Sequence, residues 1–400
     1  MYGVVLAAGQ GTRMRPLTDD RPKPLLPAAG RPLLEHVFDA CADVVEEFVV
    51  VVGYRGEDVS DALGAEYRGV PISYVEQENP KGTAHAIAQA RSVVDDRFVV
   101  LNGDVLVDPG LAEALAAADG YAIATTAVSD PSSYGVVSVG ADGDLEAIVE
   151  KPSDPPTNLA NVGCYAFEPE VFEYIDRTGE SERGEYEITE TLELLLADGR
   201  EVSVVEYDGR WLDVGRPWEL LRANELLLED IEREIDGDVA AGASVDGDVV
   251  VEGGATVRDG VTIEGPAIVK SGAELGPNAY VRGATVVGPN GTVGHGVEVK
   301  NSILMENAAV PHLSYVGDSV LGRDVNLGAG TKVANLRHDD ASVKMTVKGE
   351  RVDTGRRKLG VVLGDRAKTG INTSLNAGVK LASGATTTPG EVVVRDVESE

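Results

Sequence analysis

Between residues 239 and 305 an aliphatic side chain returns every six positions: Val239, Val245, Val251, Val257, Ile263, Val269, Leu275, Val281, Val287, Val293, Val299 and Met305. Four residues after most of them stands a small or β-branched residue, among them Ala243, Val249, Ala255, Val261 and Ala267. A period of six fits neither the 3.6-residue turn of a helix nor the two-residue alternation of a hairpin strand. It is the period of a parallel β-helix, in which three hexads close one coil and each hexad sends its aliphatic residue inward. Coils of this kind stack at about 4.8 Å, and each covers the strand edges of the next. The frame is expected to slip near Pro311 and to resume at Leu321, Leu327 and Val333. After an interruption over about residues 336–360 it returns at Leu363, Leu375 and Leu381. Segments pushed out of a solenoid in this way often carry function.

The first half has a different grammar. Short apolar runs at 4–7, 48–52, 72–75, 98–101 and 122–127 alternate with helical spacing at 33–42, 83–92 and 111–118. That alternation predicts an α/β domain with a largely parallel, doubly wound sheet. Ligands of such sheets sit beyond the carboxyl ends of the strands, so the segments after Leu6 and Leu101 are where chemistry is expected. One amphipathic helix over 218–235 should join the two halves. The expected organisation is a first domain at 1–217, a linker helix at 218–236, a β-helix at 237–390 with its insertion at about 336–360, and a tail at 391–400.

Acidic residues outnumber basic ones 67 to 35, for a net charge of −32, yet 43% of the chain is hydrophobic. That content excludes a disordered acidic tail protein. The negative field argues against nucleic acid and against anionic membrane surfaces as partners. Only 11 of the basic residues are Lys, a balance resembling that of proteins from salt-rich cytosols, where screening tames self-repulsion. Cys41 and Cys164 are too few for a disulfide framework and are expected as buried thiols. No run reaches the roughly 18 apolar residues of a spanning helix, and Met1–Gly9 reads directly into a strand; a cytoplasmic location is expected.

After the first strand comes Leu6-Ala7-Ala8-Gly9-Gln10-Gly11-Thr12-Arg13, followed by Arg21-Pro22-Lys23-Pro24. Glycines let backbone N–H groups close around phosphate oxygens, and Arg13 and Lys23 add the cations a triphosphate needs. The stretch is neither a dinucleotide fingerprint, since position 14 is Met, nor a P-loop. It resembles the signature of the sugar-1-phosphate nucleotidylyltransferases, and further stations of that family follow in order. Gln77 with Gly82-Thr83 resembles the segment that reads the pyrimidine edge, and Asn102-Gly103-Asp104 the metal-binding Gly-Asp. Tyr134-Gly135, Glu150-Lys151-Pro152 and Asn161-Val162-Gly163 resemble the sugar-phosphate site, and Trp211-Leu212-Asp213 the second metal carboxylate. The resemblance implies a Rossmann-like nucleotidyltransferase domain with Mg²⁺ on Asp104 and Asp213. It implies Arg13 and Lys23 on the departing pyrophosphate, and Lys151 on the attacking sugar phosphate. A reaction of this type needs positioning and charge neutralisation more than a protein nucleophile.

The β-helix carries motifs of its own. Pro311-His312-Leu313-Ser314-Tyr315-Val316-Gly317-Asp318 is similar to the acetyltransferase loop of bifunctional glucosamine-1-phosphate acetyltransferase/N-acetylglucosamine-1-phosphate uridylyltransferases. Arg282 lies 30 residues before His312 and Lys300 lies 12 before it; Asn326, Ala329 and Asn335 follow. The resemblance implies a left-handed β-helix and a homotrimer formed through it. It also implies His312 as general base, Arg282 and Lys300 on the sugar phosphate, and Tyr315, Asn326 and Asn335 on the acceptor. Acetyl-CoA should lie near Ala329 and the last coils. Bacterial members continue with Asn-Tyr-Asp-Gly, whereas Asn335-Leu336-Arg337-His338 opens about 25 different residues here, a loop that looks like that of archaeal bifunctional members. This insertion sets Arg337, Lys344, Lys348, Arg351, Arg356, Arg357 and Lys358 against four acids, which in so acidic a chain suggests an anion partner.

The expected function is therefore the synthesis of UDP-N-acetylglucosamine from glucosamine-1-phosphate, acetyl-CoA and UTP, with dTTP left open as the nucleotide in place of UTP. Two alternatives stand beside it. One is a glucose-1-phosphate thymidylyl- or uridylyltransferase whose β-helix only oligomerises it. The other is a catalytically dead assembly subunit, against which the intact Arg13, Lys23, Asp104 and Asp213 argue.

Overall fold

The computed structural model of the 400-residue chain describes residues 1–181 and 183–398. It divides into two compact units. The first is Met1–Gln10, Pro22–Leu25 and Leu33–Asp213; the second is Val214–Glu400 together with Gly11–Arg21 and Leu26–Pro32.

In the first unit the strand Tyr2–Leu6 lies between Glu47–Val52 and Phe98–Asn102, parallel to both, and Val70–Glu76 extends the parallel set. These runs are apolar on both faces because both are covered. Val4, Val49 and Val100 join one core with Ile87, Leu192 and Leu195, from the helices Thr83–Gln89 and Ile188–Ala197. Val5, Val50 and Leu101 join the other with Val37, Phe38 and Leu111, from Leu33–Cys41 and Pro109–Ala117. Each fully buried aliphatic side chain is worth about 1.5–3 kcal/mol, so alternate residues of one strand fasten two helical layers.

The sheet is less parallel than the sequence pattern suggests. Leu159–Phe167 runs antiparallel to Phe98–Asn102, Tyr121–Ala127 antiparallel to Leu159–Phe167, and Val202–Glu206 parallel to Tyr121–Ala127. The connection from Tyr121–Ala127 to Leu159–Phe167 contains the hairpin Gly135–Val139/Leu145–Glu150. Antiparallel neighbours need no helical crossover, so no helical period marks this stretch. Cys41 and Cys164 are free and buried, as expected, and burial pushes both thiols up, Cys164 to about 12.

The second unit opens with the helix Pro217–Leu228. It is shorter than the 218–235 expected: the chain turns at Glu229 and Asp230, whose charges are unfavourable at the dipole's negative end. Glu234–Ile235 already pairs with Val250 and Val251. Strands then pair in parallel with the strand one coil on, forming three sheets. Val251, Val269, Val287, Leu304, Leu321, Leu363 and Leu381 run down one sheet as register partners and point into a continuous core.

The hexad frame departs from expectation at one point, while the interruption at about 336–360 lies where expected. The first slip falls before Pro311: Val287 pairs with Leu304, so Leu304 takes the inward place assigned to Met305. The step from Val299 to Leu304 is five residues, turned by Asn301 at φ 45°. Leu321 and Val333 pair with Leu363 and Leu375, 42 residues on, and the excess chain leaves the stack as an excursion. It holds the hairpin Lys344–Val347/Glu350–Asp353, and Leu336 bridges Lys358 at its neck. Its cations are less available to an anion than expected. Arg337 pairs with Asp339 at 2.5 Å, Arg357 with Asp340 at 2.6 Å, and Arg356 with Glu225. Among the described residues no helix is long and apolar enough to cross a membrane.

Candidate active sites

Leu6 and Asn102 are register partners at the carboxyl ends of adjacent parallel strands, so the loops that follow them start side by side. The Gly103 N–H donates to Leu6 O at 2.9 Å, and a Cβ on Gly103 would lie 2.8 Å from that oxygen. Ala7 and Ala8 are buried, and a Cβ on Gly53 would likewise lie 2.8 Å from Ala8 O. From Gly11 the chain belongs to the second unit. Gly11 is left-handed at φ 62°, its carbonyl accepts from Thr18 Oγ1 at 2.9 Å, and Thr12–Met14 forms a 3₁₀ turn. Arg13 is exposed and lies over Gly215, its Nη2 3.1 Å from where a Cβ would stand.

Asp104 directly precedes Val105–Val107, which pairs antiparallel with Trp211–Asp213 so that Asp213 opposes Val105. Both expected metal carboxylates thus stand at one end of a two-stranded ribbon. Lys23, its side chain 8% exposed, contacts Asp104 Oδ2 through Nζ. Gln77 is buried; its Nε2 lies 3.3 Å from Gly82 O and 2.8 Å from His85 Nδ1. His85 escaped the sequence analysis, and burial, then Lys81, pulls its pKa below the ordinary imidazole value. Thr83 accepts the N–H of Ile188 at 2.9 Å.

The sugar-side motifs also converge within the first unit. Gly135 opposes Glu150 in the hairpin, and a Cβ on Gly135 would stand 3.0 Å from Glu150 Oε2 and 3.5 Å from Asn161 Cβ. Asn161 donates to Tyr165 OH at 2.7 Å and accepts from Gly163 N at 2.9 Å. Tyr134 meets Trp211 edge-on at 5.2 Å. Lys151, at φ 47°, has its Nζ 3.4 Å from Glu150 Oε1. Arg183, also missed, reaches Glu150 at 3.1 Å and Glu187 at 2.6 Å.

In the β-helix, Arg282 and Lys300 are register partners one coil apart, which explains their spacing of 18. Arg282 donates to Glu298 at 2.7 and 3.0 Å. Lys300 Nζ donates to both oxygens of Asp318, at 3.1 and 3.2 Å. Asp318, 2% exposed, also accepts from Asn301 at 2.9 Å and Asn335 at 2.5 Å, and Asn335 donates to Tyr315 OH at 3.1 Å. Burial raises the Tyr315 phenol, with the Asn335 hydrogen bond opposing. Asp318 was legible as a motif letter but not as the hub of this cluster. His312 is exposed and pairs in register with His295; its carbonyl accepts from Ser314 Oγ and Gly330 N. Asn326 and Ala329 lie on the following coil, where Asn326 bridges Ala309 and Lys368 and Ala329 O accepts from Asn372 N at 2.8 Å.

Residues 2–230 match the nucleotidyl transferase family model, and residues 263–377 match that of the GMPPB C-terminal domain. The bifunctional protein GlmU of Methanocaldococcus jannaschii is 42% identical over 399 residues, covering 100% of this chain and 96% of that one. The chain belongs to the nucleotidyl transferase family, in its bifunctional GlmU branch. The bifunctional sugar-1-phosphate nucleotidylyltransferase/acetyltransferase of Sulfurisphaera tokodaii is 38% identical, covering 99% of this chain and 98% of its own. A crystal structure of a Bacillus anthracis glucose-1-phosphate thymidylyltransferase superposes with a TM-score of 0.53 at 31% identity, over 58% of this chain and 97% of that one. Similarity to bifunctional relatives over the full length does not favour the scaffold-only alternative.

Proposed function

We propose that this GlmU-branch enzyme makes UDP-N-acetylglucosamine in two steps. The β-helix site acetylates glucosamine-1-phosphate: the amine nitrogen attacks the thioester carbonyl of acetyl-CoA, the nitrogen loses a proton to His312, and coenzyme A leaves as the thiol. Arg282 and Lys300 hold the sugar phosphate, Tyr315, Asn326 and Asn335 orient the acceptor, and the backbone at Ala329 borders acetyl-CoA. The N-terminal chemistry then joins a phosphate oxygen of N-acetylglucosamine-1-phosphate to the α-phosphorus of UTP, and pyrophosphate leaves in line.

The amides of the signature loop receive the triphosphate, Gln77 and Gly82-Thr83 read the base edge, and Lys23, with Arg13, neutralises the leaving pyrophosphate. Tyr134, Gly135, Glu150, Lys151 and Asn161 receive the sugar phosphate. Asp104 and Asp213 suit Mg²⁺, a hard ion that takes one or two carboxylates and keeps waters. When bound, the ion neutralises charge on the phosphates. A homotrimer through the β-helix, a cytoplasmic location and adaptation to high salt complete the reading.

The observation that carries a second active site is the buried Asp318 cluster. Desolvating an ion pair costs several kcal/mol per ion, and an apolar pair fills a scaffold coil at less cost. The test is acetyl-CoA consumption with glucosamine-1-phosphate at high salt, beside pyrophosphate release from UTP and dTTP with N-acetylglucosamine-1-phosphate and glucose-1-phosphate. Acetyl transfer plus pyrophosphate release is expected. Pyrophosphate release without acetyl transfer would return the β-helix to a scaffold.

A further inference from the structure

Residues 11–21 of the signature stretch are tied to successive coils of the β-helix within the second unit. Arg21 Nη1 lies 3.5 Å from Met305 Sδ, the residue that the frame slip displaces from the core. Asp20 pairs with Arg366 at 2.5 Å, and its carbonyl is 3.5 Å from Arg323 Nη2. Arg323 is held in turn by Asp365, 2% exposed, through its main-chain N–H at 2.8 Å and Nε at 2.9 Å. A Cβ on Gly364 would stand 2.9 Å from Pro16 Cβ, and Lys380 Nζ donates to Arg15 O at 3.3 Å. Burial, reinforced by Arg323, pushes the Arg21 guanidinium down to about 10, as expected for a cation pressed into a packed surface. Four successive coils therefore contact one short segment, and that segment carries Arg13 in a 3₁₀ turn closed by Thr18.

We propose that Asp20, Arg21, Arg323 and Arg366 are positioning residues for nucleotidyl transfer, with coil corners of the β-helix holding the loop that bears Arg13 in its triphosphate-receiving conformation. This rests on the assignment of Arg13 to the triphosphate. A short loop held only by its own turn samples other conformations, and the apparent affinity for nucleotide falls by the fraction of time it spends in them. The coils remove that loss, so these β-helix side chains lower the KM for nucleotide.

The full-length protein tests this with Asp20→Arg, Arg366→Asp and the double charge swap, measured for pyrophosphate release, acetyl-CoA consumption and amide hydrogen exchange. Each single variant should raise KM for UTP about two- to fivefold, the range an ion pair of this exposure supports. Amide exchange should quicken over residues 11–21, while acetyl transfer stays at wild type. The double swap should return KM to within about 1.5-fold of wild type, a coupling that general destabilisation does not produce. Unchanged KM and exchange in the single variants, or a double swap as impaired as the two singles combined, overturns the proposal. If the wild type releases no pyrophosphate from any nucleotide tested, the functional reading fails, and the exchange measurement still decides whether the coils hold the segment.

Discussion

Gly82 offers the sharpest structural test within the segment proposed to read the nucleotide. Its φ of 112° and ψ of 175° lie in a region essentially reserved for glycine, where another residue costs about 1–3 kcal/mol. A Cβ there would stand 2.7 Å from Tyr186 N and 2.9 Å from Tyr186 C. That backbone cannot yield freely, since Tyr186 N donates to Lys81 O at 2.7 Å and Tyr186 O accepts from Ala84 N at 2.9 Å. Losing both bonds adds about 1–3 kcal/mol. Gly64 is a matched control: its φ of 73° and ψ of −154° share the region, but nothing lies within 4 Å of its would-be Cβ. Gly64→Ala should therefore show the conformational cost alone, and Gly82→Ala that cost plus about 1–3 kcal/mol. Urea melts at fixed salt measure both, with pyrophosphate release from UTP falling only in Gly82→Ala because Gln77 loses the carbonyl it faces. Equal destabilisation of the two variants would show that the Tyr186 backbone gives way to a Cβ without cost.

Lys300→Met should cost about 3–5 kcal/mol by leaving the Asp318 carboxylate buried without its cation, and Asp318→Asn in that background should return most of it in the same melts. Burial pushes the Glu225 carboxyl up, but hydrogen bonds from Arg356 and Asn301 outweigh it and hold the group below its ordinary value. A depressed folded pKa gives stability above the unfolded pKa of about 4.3, lost as pH falls through the folded value. Glu225→Gln should flatten the acid limb of a stability–pH curve below about pH 4.5, and an unchanged limb would count against the assignment. The acidic, Lys-poor chain should melt higher as KCl rises from about 0.1 to 3 M, because the screening length shrinks from about 10 Å at 0.1 M to about 3 Å at 1 M. A flat or falling midpoint would remove the inference of salt adaptation.

The hexads were legible because an inward aliphatic residue at each sixth position has no other regular home. The slip at Val299–Leu304 was not, since Leu304 and Met305 are adjacent and both apolar, and only pairing with Val287 separates them. Strand direction was hidden too: the apolar run of Leu159–Phe167 reads alike in parallel and antiparallel settings. At the sites, local motifs brought Gln77, Asp104 and Asp213 to notice. His85 and Arg183 escaped because their partners, Gln77, Glu150 and Glu187, meet them only through tertiary packing or in a loop without regular period. Asp318 lay in plain sight within the acetyltransferase motif, but its burial depends on Lys300 one coil back and Asn335 beyond it.

Two separate chemistries in one chain are told apart by assaying both activities on folded Asp104→Asn and His312→Ala variants. Asp104→Asn should abolish pyrophosphate release while acetylating glucosamine-1-phosphate like the wild type. His312→Ala should lose about 10²–10⁴-fold in acetyl transfer, in kcat more than in KM, and uridylylate supplied N-acetylglucosamine-1-phosphate normally. Both activities falling together in either variant, or normal acetylation by His312→Ala, would contradict the account.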